Sequence, residues 1–86
     1  MNIAVGTIWK HHEGNKYKIL RLALTTGPHF EGDQIVVVYE PWPVSEDMTF
    51  VRHIIDWCAN VSPLGEKRRS RFEYFAKDEE AARARP

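Results

Sequence analysis

Residues 16 to 25, "KYKILRLALT", hold the pattern that most restricts how this chain can fold. Lys16 and Lys18 alternate with Tyr17 and Ile19, the period of a strand with one buried and one wet face. From Leu20 the parity reverses, and Leu20, Leu22 and Leu24 take the positions the lysines held. A strand changes its apolar face only through a bulge, here near Ile19-Leu20, or by being covered on both sides in its second half. A long strand that bends in this way lets a small sheet curl.

The flanking segments fit the same picture. "TIWKH" reads as a first strand entered through Gly6, and "HEGN" as a tight turn in which Gly14 takes positive φ without steric cost. "QIVVVYE" is apolar at successive positions from Ile35 to Tyr39, which predicts a central strand buried on both faces. Pro41 and Pro43 lack the N–H a ladder needs and end it. "MTFVRH" is a fourth strand and "RFEYF" a last one. Between them, Ile54, Ile55, Cys58 and Val61 fit one side of a short helix or 3₁₀ turn. These elements predict a mainly β domain over residues 1–76, a small antiparallel barrel of about five strands with one short helical turn. Residues 77–86 form a charged, weakly ordered or helical tail, which offers no apolar face worth burying.

Composition narrows the function classes. Eighty-six residues, 43% of them hydrophobic, suffice for one core and no second. Twelve basic and twelve acidic side chains balance, so contact with nucleic acid must come from a local patch. Cys58 is the only cysteine and can form no internal disulfide. The N-terminus lacks a basic region followed by an apolar run, and Ile35 to Tyr39 is too short to span a bilayer. The expectation is a soluble, cytoplasmic protein with no membrane partner, a monomer or small homo-oligomer.

The landmarks also resemble a known family. The order G-x-x-W-x-H, E-G-N-x-Y-x-I-L, "VVVY", an aromatic-Val-Arg unit and a terminal "RFEYF" is similar to the DUF1653 family of small bacterial and phage proteins. Gly6, Trp9, His11, Gly14, Tyr17, Val37, Val38, Tyr39, Phe50, Val51, Arg52, Arg71 and Phe72 fall on its pattern. Trp9, Glu13 and His53 depart from it, standing where tyrosine, lysine and proline are common. The resemblance implies an SH3-like barrel and no particular reaction.

His11-His12-Glu13 is the densest group of metal-capable donors. Neighbouring strand residues point to opposite faces, so two adjacent histidines share a metal only across a kink. The segment is therefore read as a hairpin connection, with His11 on the rim of a cleft and no metal or cofactor assigned. His29 and His53 lie in separate segments, and Cys58 reads as a small buried hydrophobe. Trp42, between two prolines, is either an exposed binding aromatic or a lid on the fold. Lys67, Arg68 and Arg69 are weak candidates for phosphate contact, or a solvated loop. Arg52 sits in an apolar strand, where its guanidinium needs a carboxylate such as Asp56, a carbonyl or a ligand anion.

These residues predict a non-enzymatic binding module with no catalytic residue. Its surface combines Trp42, Arg52, His53, Trp57 and His11 and faces nucleic acid, a nucleotide-like anion or a protein segment. The competing readings are a small enzyme using His11, His53, Asp56 or Cys58, and a phage-type inhibitor or decoy acting by surface occlusion.

Overall fold

The computed structural model describes residues 3–28, 33–44, 47–61 and 67–85. In chain order the elements are β1 (Ile8–His11), β2 (Lys16–Leu24), β3 (Ile35–Pro41), β4 (Phe50–His53), α1 (Ile54–Trp57), β5 (Asn60–Val61), β6 (Arg69–Ser70), β7 (Phe72–Ala76) and α2 (Glu79–Ala84). Five of the strands form one antiparallel sheet in the order β4-β3-β2-β1-β7, and β5 pairs with β6 separately. The fold is mainly β, as the strand pattern predicts.

The parity switch in β2 is a bulge. Ile19 pairs with Tyr39 and Arg21 with Val38, so two steps on β2 match one on β3. Leu20 is the extra residue, and the register shifts there without bringing Leu22 and Leu24 into the core. The alternative, a second half covered on both faces, does not hold: Leu22 is 42% and Leu24 61% exposed.

The main core joins Trp9, Ile19, Val37, Tyr39, Trp57 and Phe72. The rings of Trp57 and Phe72 stack 3.7 Å apart at 3°. Trp9 and Tyr39 meet Trp57 edge-on, an arrangement that aromatic quadrupoles favour. In α1 the residues that turn inward are Ile54 and Trp57, three apart on a single helical turn. Ile55 is 84% exposed and Cys58 is also exposed, which corrects the inward assignment of both.

The tail forms a short helix, and it buries an alanine face that its sequence did not promise. Asp78 caps α2, accepting from the Ala81 N–H at 2.8 Å. Ala82 is buried and packs with Ile8 and Ala76, while Trp42, Phe75 and Ala81 border the cluster. The apolar face is small because alanine is small, yet alanine lets the helix approach closely enough to be covered. No helix among the described residues is long and apolar enough to cross a membrane.

Candidate functional site

The site starts at the β1–β2 turn. Gly14 adopts φ +107°, the conformation that glycine takes without strain. Its N–H donates to the His11 carbonyl at 2.8 Å, and the Glu13 N–H reaches His11 Nδ1 at 3.2 Å. Because His12 already belongs to the turn, strand alternation ends at His11. The two imidazoles therefore lie on one side, 4.2 Å apart, instead of on opposite faces. One donor atom from each of His11, His12 and Glu13 falls within 4.8 Å of the others. The backbone of His12 is held from the far end of the chain. Its N–H donates to the Arg71 carbonyl at 2.9 Å, and its carbonyl accepts from Arg69 Nη2 at 3.2 Å.

Opposite this turn stand two arginines. Arg52 Nη1 donates to Asp56 Oδ2 at 2.7 Å, and its Nε donates to the Tyr39 hydroxyl at 3.3 Å. Burial alone would make the guanidinium easier to deprotonate; the bonds to Tyr39 and Asp56 outweigh that and hold it more firmly charged. Arg71 Nη2 lies 3.5 Å from the other oxygen of Asp56, while its buried Nε has no acceptor among the described residues. Arg52 also covers Phe72, 5.4 Å from the ring centroid.

Both arginines line a cavity of about 340 Å³ with His11, His12, Glu13, Tyr17, Tyr39 and Phe72. Asp56 is not in its wall; it lines a separate hollow with His53 and so grips the arginines from behind. The cavity is lined from both edge strands of the sheet. Arg52 comes from edge strand β4, and Phe72 from the opposite edge strand β7. His11 is harder to protonate than an ordinary histidine. Burial is the main cause, reinforced by His12, Arg52 and Arg71 and opposed by Glu13.

The other residues singled out in the sequence disperse. His53 follows Arg52 on β4, so alternation turns it to the opposite face, where it is exposed. Trp57 is 1% exposed and belongs to the core, so it presents no binding surface. Its ring reaches the site only from behind, through Phe72 and Tyr39. Trp42 is partly buried against the tail, its Nε1 donating to Glu79 Oε1 at 3.0 Å. This is the lid arrangement, and Trp42 lines a different hollow from Arg52. Lys67 and Arg68 are exposed, Arg69 reaches the turn through His12, and His29 lies outside the described residues. The cluster of His11, His53 and Asp56 that the competing enzyme reading would need does not form, because His11 and His53 line different cavities. His12, Tyr39 and Arg71 join the site without having been expected there. Arg71 carried a signal as a charged residue directly before a strand aromatic, Tyr39 as part of the family pattern and His12 as a neighbour of His11.

A family model described as "Protein of unknown function (DUF1653)" matches residues 7–74, most of the chain. The protein belongs to the DUF1653 family. A search of curated proteins finds no match, and neither does a search of solved structures. The match spans every residue of the cavity wall, from His11 in the first turn to Arg71 and Phe72 at the start of β7.

Proposed function

We propose that this DUF1653 protein is a non-enzymatic binding module whose cavity, lined from both edge strands, takes a phosphate-type anion of a nucleotide or nucleic-acid strand. The observation that carries this reading is the sharing of one carboxylate, Asp56, by two arginines that face the cavity from its other side. Anchored from behind, the guanidinium groups keep donors for a second acceptor, and planar guanidinium matches phosphate oxygens well. The Tyr39 hydroxyl accepts from Arg52 and so has its own proton to donate. Lys67 and Arg68 extend the positive surface through Arg69, which suits a ligand carrying more than one phosphate.

Two wider expectations belong to the same reading. The sheet, its edges joined by Arg52, Asp56, Phe72 and Arg71, is an SH3-like barrel closed by side chains. A chain with a single exposed cysteine suits the bacterial or phage-infected cytoplasm.

Nuclear magnetic resonance titration of the untagged protein with inorganic phosphate, ATP and a short RNA tests the proposal. Saturable shifts should centre on Arg52, Arg71 and His11, weaken with added salt, and vanish in Arg52→Ala. If none of the three ligands produces saturable shifts, or if Arg52→Ala binds as well as the native chain, the reading fails.

A further inference from the structure

The turn that carries His11 and His12 has a chemistry that the anion reading does not use. We propose that His11, His12 and Glu13 form a binding site for a divalent transition metal ion of the zinc, nickel and copper class. The inference does not rest on the arginines taking an anion.

Three observations carry it. First, one donor atom from each of the three side chains lies within 4.8 Å of the others. Around a tetrahedral ion with bonds of about 2.1 Å, donors sit roughly 3.4 Å apart. The gap is small enough for rotation of the side chains alone to close. Second, the set is two imidazoles and a carboxylate. That combination suits borderline metals and leaves the fourth position open; hard cations such as magnesium prefer all-oxygen sites.

Third, the donors are held before any ion arrives. The His11 ring meets Phe72 edge-on at 5.0 Å and Tyr17 at 6.4 Å. Arg71 and Arg69 fix the His12 backbone from both sides. Glu13, exposed at the tip of the turn, is the adjustable member. The Glu13 N–H occupies the lone pair of His11 Nδ1 at 3.2 Å, so coordination through that nitrogen requires this long bond to give way to the ion.

Opposing the site is the positive field of Arg52 and Arg71, which line the same cavity. Asp56 pairs with both arginines from outside the cavity wall and so reduces that field, and Glu13 brings a negative charge to the ion itself.

The test is isothermal titration of the untagged chain with zinc and nickel chlorides, with magnesium chloride as the control. One saturable site is expected for zinc and nickel and none for magnesium. His12→Ala and Glu13→Ala should each weaken nickel binding roughly tenfold or more, and His53→Ala should leave it unchanged. His12 is anchored through its backbone, so His12→Ala keeps the hairpin; equal melting temperatures in chelator verify this. Cobalt should broaden amide resonances around residues 11–14 and spare those around His53. Arg52→Ala should retain the metal while losing any anion, so the two sites fail separately. Absence of saturable binding up to about 1 mM metal, or full binding by His12→Ala, overturns the inference.

Discussion

Arg52 and His11 face each other across one cavity, and their surroundings treat charge in opposite ways. Arg52 is stabilised as a cation by Tyr39 and Asp56, whereas His11 is disfavoured as one. The consequence for pH follows from the sign of the His11 shift. Its folded-state pKa lies below the ordinary 6.5, so near and below that pH the unfolded chain binds the proton more readily. Stability is therefore full above about 6.5 and falls as the pH drops towards the folded value. Urea denaturation between pH 7.5 and 5 should show this loss, and His11→Gln should flatten it; an unchanged slope in that variant would contradict the assignment. At this scale the sequence is informative about Arg52, because a guanidinium in an apolar strand needs a partner and Asp56 lies four residues on. It misleads about His53 and Trp57, which are near Arg52 in sequence but leave its face, one by strand alternation and the other by stacking on Phe72. The meeting of Arg71 with His12 was beyond reach, since only the fold places the two ends of the matched region together.

Among the elements, β2 was the most legible, because a change of parity has few physical solutions and the bulge after Ile19 is one of them. The tail was the least legible. A stretch with no large apolar residue gives no hydrophobic stripe, yet α2 buries Ala82 and ties Glu79 to both Trp42 and Lys18. Phe75 adds to this, with Lys16 and Arg85 over its ring and its carbonyl accepting from Arg85. Truncation after Lys77 removes the cap, the buried methyl group and the Trp42 partner together. The expected cost is on the order of 2 kcal/mol, from about 1 for a cap and about 0.8 for a buried methyl. Thermal melts should show a lower midpoint for the truncated chain, with the Trp42 emission shifted to the red before unfolding begins. An unchanged midpoint would mean that α2 lies on the domain without supporting it.

For the whole molecule, the decisive feature is how side chains bring the two edge strands of the sheet into contact. The edge strands β4 and β7 share no backbone pairing among the described residues. Side chains do the joining: Arg52 over Phe72, Arg71 on Asp56, and Phe72 flat against Trp57. Periodicity reveals strands and their faces, but it holds no information on such a seam, which is why the mainly β fold was legible and the composition of the cavity was not. Phe72 takes part in two of these three contacts and is 3% exposed, so it is the residue whose loss should part the edge strands most. Phe72→Ala should cost about 3–5 kcal/mol, the range for deleting a buried phenylalanine ring. A chain of 86 residues has a total stability of roughly 4–13 kcal/mol at about 0.05–0.15 kcal/mol per residue, so this one change removes much of it. Phe72→Leu keeps an apolar plug but gives up the stack on Trp57, and it should cost less. Because Phe72 also lines the cavity, Phe72→Leu should weaken anion binding even where the protein remains folded. Urea titrations followed by tryptophan emission, paired with phosphate titrations of the leucine variant, measure both effects. A cost below about 1 kcal/mol for Phe72→Ala would show that the seam is held by the ion pairs and not by the ring.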